Sequence, residues 1–231
     1  MSTILQIHAL HKGYHSKPVL RDISLEISSG SIFGILGPNG SGKTTLLKII
    51  AGLLHHYSGT VQVCGYSIGL ETKKIVSFLP DRNCLYDSFS LAAMIQFYAD
   101  FFNDFDSKKA FELLDFLQLD KTQTIKTMSK GMIEKMNLVL TFSRAAKLFI
   151  LDEPLAGTDP VIREKIIKTI IKTWTEDSAI ILSTHLVADI EHVFTDVAFL
   201  KEGSLVLQGD AEHLRVSREK SIYQLYFEIF G

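Results

Sequence analysis

The spacing of apolar and polar positions changes several times along the chain. Ile23, Leu25 and Ile27 alternate with Ser24, Glu26 and Ser28, a period of two that predicts a half-buried strand. Ser29-Gly30 then turns the chain into Ser31-Ile32-Phe33-Gly34-Ile35-Leu36, a nearly continuous apolar run that predicts a strand covered on both faces. From Leu91 to Ala146 the spacing becomes helical, as in Phe111, Leu114 and Leu117, or Met132, Met136, Val139 and Leu140, and no proline interrupts it. This stretch predicts a helical insertion between two β-containing parts.

Strands and helices then alternate. Lys147 to Leu151 and Ala179 to Ser183 read as buried strands. Between them a helix carries Ile162, Ile166, Ile170 and Trp174 on one face, and a short helix from about His185 to Phe194 comes next. Val197 to Leu207 reads as a hairpin turning at Glu202-Gly203, and Ser221 to Phe230 as a short amphipathic helix. Buried strands separated by helices predict an α/β fold with a mainly parallel sheet.

Composition narrows the class. The 231 residues suit one large or two small domains and can bury a sizeable core. With 24 Lys+Arg against 26 Asp+Glu the net charge is −2, which leaves no general field for nucleic acid. No apolar run reaches the roughly 18 residues a membrane-spanning helix needs. The first residues lack a basic stretch followed by a long apolar one, so no secretory signal is evident. Cys64 and Cys84 stand outside any Cys-x-x-Cys pattern and suit a reducing, cytoplasmic compartment.

Candidate chemistry begins at Gly37-Pro38-Asn39-Gly40-Ser41-Gly42-Lys43-Thr44, which follows the buried strand and opens the apolar-periodic segment Leu46 to Ile50. This is the G-x-x-x-x-G-K-[ST] phosphate loop in its strand–loop–helix setting. Its glycines let successive N–H groups point at one anion, and the helix N-terminus adds partial positive charge. Lys43 would reach the β- and γ-phosphates, and Thr44 would supply an oxygen to Mg²⁺. A second site is the strand ending in Asp152-Glu153-Pro154. In a parallel sheet ligands bind beyond the C-terminal strand ends, so both acids should emerge beside the phosphate loop. Asp152 suits the Mg²⁺ shell, and Glu153 suits the water that attacks the γ-phosphate.

Three further segments complete an ordered set: Met128-Ser129-Lys130-Gly131-Met132 before a long amphipathic helix, Leu155-Ala156-Gly157-Thr158-Asp159 after the acids, and Ser183-Thr184-His185 ending the next strand. The set resembles the ATP-binding-cassette (ABC) family from Tyr14 to about Gly209. The Walker A motif would be Gly37 to Thr45, the signature Ser129 to Met132, and Walker B Leu148 to Asp152. A D-loop and a switch histidine would follow.

The resemblance implies a P-loop NTPase core with an antiparallel β portion at its N-terminus and an inserted helical subdomain. One nucleotide-binding domain would span 1–231. Its catalytic core would be 1–80 and 147–209, its helical signature part 81–146, and its C-terminal helical extension 210–231. Tyr14 would stack on adenine, although an aromatic residue near a strand is commonly core. Thr45 would join the phosphate contacts, and His185 would contact the γ-phosphate. Ser129, Lys130 and Gly131 would face ATP bound by a second ABC subunit, identical or similar. Ser129 also suits a plain helix N-cap. Lys130, however, puts a cation at the positive helix end at a cost of about 0.3–1 kcal/mol, which makes sense if an anion docks there.

Two positions depart from the family pattern. Met132 stands where the commonest signature has glutamine, so no side-chain amide is available. Asp81, after Phe78-Leu79-Pro80, stands where the family usually has glutamine, and its carboxylate only accepts when ionised. Asp81 would either join the Mg²⁺ ligands or cap the turn before Arg82. Both departures are similar to the Ytr-type ATPases of bacterial ABC-2-like exporters, as is Leu205 to Asp210. The resemblance thus implies an ATP-hydrolysing subunit working with a polytopic membrane permease on the cytoplasmic face of the membrane. The alternative is a soluble ABC-type switch in DNA repair or translation, and a third reading is an inactive nucleotide-binding scaffold. A GTPase is disfavoured because no Asn-Lys-x-Asp segment occurs.

Overall fold

A computed structural model describes residues 2–15, 17–81 and 84–231. Strands β1 (Thr3–Tyr14) and β2 (Lys17–Ser28) form a long antiparallel hairpin in which Ile23, Leu25 and Ile27 are buried, as their alternation predicts. Strand β3 (Ile32–Leu36) feeds helix α1 (Lys43–Ile50) through the glycine-rich segment. Strands β4 (Ser58–Val63) and β5 (Tyr66–Ser67), helix α2 (Leu70–Ile75) and strand β6 (Val76–Leu79) follow. Helices α3 (Leu91–Phe101), α4 (Ser107–Phe116) and α5 (Lys130–Phe142) precede β7 (Leu148–Asp152). The chain continues as α6 (Pro160–Thr173), β8 (Ala179–Thr184), α7 (Val187–Ile190), the hairpin β9 (Asp196–Lys201) and β10 (Ser204–Asp210), α8 (Ala211–Arg218) and α9 (Ile222–Phe230).

The strands form two sheets, one antiparallel in the order β2-β1-β4-β5 and one mixed in the order β10-β9-β3-β8-β7-β6. In the mixed sheet β9, β3, β8, β7 and β6 run parallel and only β10 is reversed. Strand β3 shows why its sequence reads as an apolar run. Ile32 and Leu36 point into a core shared with α3 to α6, while Phe33 and Ile35 point into a second core with α1 and the antiparallel sheet. Burying one such side chain contributes about 1.5–3 kcal/mol, so a polar residue on either face would be costly. Among the described residues no helix is long and apolar enough to cross a membrane.

Two expectations need correction. Trp174 does not continue the apolar face of α6. The helix ends at Thr173, and Trp174 turns into extended backbone so that its indole N–H donates to the Gly30 carbonyl at 2.9 Å. An aromatic N–H seeks an acceptor, and one outside the helix wins here. The helix expected over His185 to Phe194 is shorter: α7 covers Val187–Ile190, a 3₁₀ turn covers Glu191–Val193, and His185 precedes both.

Arg144, just past α5, ties the connection between α3 and α4 to helix α2. Its Nε donates to both Asp104 oxygens at 2.7 and 2.9 Å and Nη2 donates to the Lys74 carbonyl at 3.0 Å, while its guanidinium carbon lies 3.9 Å from the Phe102 ring centroid. The Arg144 side chain is only 5% exposed. Arg144→Ala would strand Asp104 and open a void, so we expect a loss of about 3 kcal/mol and a thermal midpoint lowered by about 10 °C, measured by calorimetry.

Candidate active site

The phosphate loop is shaped by close approach. Gly37 passes against the Leu200 carbonyl oxygen with no room for a Cβ. The loop then doubles back, so that the Gly37 and Pro38 carbonyls accept from Lys43 Nζ at 2.7 and 3.1 Å. Gly42 stands at the N-cap of α1, whose first N–H groups have no intrahelical partner, and no side chain among the described residues caps them. Asn39, Gly40, Gly42, Lys43, Thr44 and Thr45 line a cleft of about 390 Å³, with Tyr14, Val19, Asp81 and Glu153 completing the wall. Ser41 is buried within the loop against Gly37, and its Oγ has no hydrogen-bond partner among the described residues. Tyr14 is 43% exposed, and the Lys12 ammonium lies 5.1 Å from its ring centroid, so the ring is polarised and not core. A cleft of about 500 Å³ opens beside the β1–β2 hairpin among His11, His15 and His56, but its described lining residues include no carboxylate and none of the phosphate loop.

The acidic pair sits at the C-terminal end of β7, beside the end of β8, as the parallel sheet requires. Asp152 is fully buried, and its Oδ1 accepts from Thr44 Oγ1 at 3.1 Å and from Ser183 Oγ at 2.7 Å. Its Oδ2 is buried with no hydrogen-bond partner among the described residues. Burial pushes the Asp152 carboxyl above the usual carboxylate range. The bonds from Ser183 and Thr44 oppose that shift, and the charges of Asp81 and Glu153 add to it. An orphaned carboxylate oxygen beside a threonine hydroxyl is the donor set a hard cation uses. Among the described residues no three His, Cys, Asp or Glu side chains are arranged to hold a metal ion by themselves, so a Mg²⁺ here would take its remaining oxygens from phosphates and water.

Glu153 adopts a left-handed backbone, φ 51°, rare for a residue with a side chain. The Ser183 hydroxyl holds it there by accepting from Glu153 N at 2.9 Å. The side chain lies between Lys43 and His185. Lys43 Nζ approaches Oε1 to 3.0 Å, an ionic contact without hydrogen-bond alignment, and His185 Nδ1 is 2.9 Å from Oε2. An ionised Glu153 only accepts, so Nδ1 carries the proton of that bond and Nε2 points elsewhere.

Lys43, Thr44, Asp81, Asp152, Glu153 and His185 therefore belong to one constellation. Asp81 is exposed on the cleft wall, and the turn it was alternatively expected to cap runs into Arg82, outside the described residues. Ser129, Lys130 and Gly131 do not line the cleft. They open α5, where Ser129 Oγ accepts from Met132 N at 3.4 Å as an N-cap, Gly131 packs on Ile162, and the Lys130 ammonium lies against Gly157. Ser183 has no role of its own in the sequence motifs; its one signal there is a hydroxyl directly after the apolar run Ala179 to Leu182 of β8.

The sequence pattern of the family described as ABC transporter matches residues 20–156. The chain belongs to that family. The ABC transporter ATP-binding protein YtrB of Bacillus subtilis (strain 168) is 31% identical to this ABC ATPase over 215 residues, 92% of this chain and 74% of YtrB. The lantibiotic transport ATP-binding protein SrtF of Streptococcus pyogenes is 26% identical over 228 residues, 97% of this chain and 99% of SrtF. A solved structure of the ATP-binding subunit of an ABC transporter superposes with a TM-score of 0.88 at 26% identity, covering 98% of this chain and 99% of that one. The ABC fold expected from the motifs is the fold observed, and none of these proteins is a DNA-repair or translation switch.

Proposed function

We propose that this ABC ATPase binds ATP with Mg²⁺ in the cleft beside Tyr14 and hydrolyses it to drive export through a separate polytopic permease at the cytoplasmic face of the membrane. The observation that carries the reading is Glu153 held between Lys43 and His185 above the orphaned Asp152 oxygen. Adenine stacks on Tyr14, and the phosphates lie over the loop 37–45, where every residue but Pro38 can offer a backbone N–H, with Lys43 on the β- and γ-phosphates. Thr44, Asp152 and Asp81 would hold a Mg²⁺, and the ion would supply positive charge to offset charge developing on the phosphate oxygens. Glu153 takes a proton from the attacking water as its oxygen bonds to the γ-phosphorus and the bond to the β,γ-bridging oxygen breaks, leaving ADP and phosphate. His185 keeps Nδ1–H on Glu153 and turns Nε2 to the γ-phosphate, where it donates only while the ring is protonated.

Two subunits, alike or different, close head to tail so that Ser129, Lys130 and Gly131 of one meet the ATP of the other. The placing of these residues outside the cleft of their own chain supports that arrangement. In the proposed division, 1–80 and 147–209 form the catalytic core, 81–146 the signature lobe and 210–231 a helical extension. The lobe carries a ladder of exposed rings: Tyr86, Phe97 and Phe101 are 54, 37 and 71% exposed, with ring centroids 5.4 and 6.3 Å apart along the ladder. Such a patch marks an interaction surface and suits the permease. Replacing Phe97 and Phe101 together by Ser should abolish co-purification of the membrane subunit while the isolated chain still hydrolyses ATP in the presence of Mg²⁺. Unchanged co-purification sinks the docking assignment, and no hydrolysis by the wild-type chain sinks the enzymatic one.

A further inference from the structure

The loop that follows Glu153 is held from two sides. Arg163, in the first turn of α6, donates from Nε to the Thr158 carbonyl at 3.1 Å and from Nη1 to Asp189 Oδ2 at 2.9 Å. Asp189 lies in α7, which begins two residues after His185. One guanidinium thereby ties the loop that leaves Glu153 to the helix that follows His185. The buried Thr158 closes the loop by donating from Oγ1 to the Leu155 carbonyl at 2.7 Å. On the opposite side the Lys130 ammonium lies against Gly157, whose φ of +70° and missing Cβ leave the space. The start of α5, the loop 154–158 and α7 are thus linked in series.

We propose that Arg163 is a positioning residue that makes the loop after Glu153 and the helix after His185 move as one body. What docks on Ser129 to Gly131 is then felt at the Glu153–His185 contact. The inference rests on reading Glu153 and His185 as the hydrolytic pair; Arg163 itself touches neither. A planar fork can serve a carbonyl and a carboxylate at once, which a lysine ammonium cannot do in the same geometry. The Arg163 and Asp189 side chains are 26 and 40% exposed, so the pair adds little to fold stability. Its loss should appear in turnover.

The test is a cycle of R163Q, D189N and the double variant, with R163K as the conservative control. R163Q should lower kcat about tenfold while the Kd for ATP stays within about twofold and the thermal midpoint within about 2 °C. D189N, which keeps the Thr158 bond, should show most of that loss, and the double variant should be no slower than R163Q. R163K should recover only part of the rate. Wild-type kcat in R163Q, multiplying effects of the two changes, or a rate loss that follows a fall in thermal midpoint overturns the inference. Should R163Q fail to fold, D189N decides alone: wild-type kcat in that variant overturns it. Wild-type protein and E153Q run alongside. Hydrolysis absent from the first, or intact in the second, overturns the reading of the site and this inference with it, whereas a normal pair of controls isolates Arg163.

Discussion

Glu153→Gln is expected to keep ATP and lose its hydrolysis by about 10²- to 10⁴-fold, the usual share of a general base. The substitution preserves the shape of the side chain and leaves the backbone N–H of residue 153 on Ser183. An amide oxygen can still accept from His185 Nδ1, so the switch histidine keeps its place. What disappears is the basic oxygen that takes the proton of water. The charge facing Lys43 disappears too, which frees the ammonium for phosphate, so ATP affinity should hold or rise. ATP-loaded dimers should accumulate and be visible by light scattering. Phosphate release measured under single turnover decides the matter, and turnover within twofold of wild type removes Glu153 from the role of base.

Lys43→Ala should abolish measurable ATP binding. The Lys43 side chain is 5% exposed and its ammonium is bonded to the Gly37 carbonyl of the phosphate loop, where removal of a buried charged partner costs about 3 kcal/mol or more, over a hundredfold in Kd. The fold should also suffer. Without Lys43 the Gly37 and Pro38 carbonyls lose their donor, and Glu153, 13% exposed, loses the ammonium that faces its carboxylate. The Lys43→Ala/Glu153→Gln double variant should therefore melt higher than Lys43→Ala alone, because the carboxylate left without its ammonium is gone. Equilibrium titration with a fluorescent ATP analogue and calorimetry read both effects. Wild-type affinity in Lys43→Ala refutes the phosphate-loop assignment.

Much of this site was legible because its geometry is local. The phosphate loop needs only a strand, glycines, a lysine and a helix start in order, and all lie between Ile32 and Ile50. Asp152 and Glu153 could be placed because parallel strands present their C-terminal ends on one edge. Contacts set by tertiary packing were not legible. Ser183 joins the site only because β8 lies beside β7 in a register that sets Ser183 against Asp152. Arg144 and Arg163 look like ordinary surface charges until Asp104 and α2 are brought to the first and α7 to the second. Trp174 kept the helical spacing of α6 but answered to an acceptor at Gly30, far away in the chain.

The position of β3 within its sheet has a consequence for synthesis. Its neighbours are β8 and β9, with Ile32 paired to Ile180 and Phe33 to Asp196. The strand carrying the phosphate loop thus leaves the ribosome with neither lateral partner yet made, and five consecutive residues that are buried in the finished fold wait uncovered. Such non-local parallel pairing is slow to form and exposed to misassociation in the interval. The β1–β2 hairpin can close early, but Thr44 cannot meet Asp152, nor Asp152 meet Ser183, before most of the chain exists. A nascent chain therefore has its phosphate loop long before it can split a phosphate.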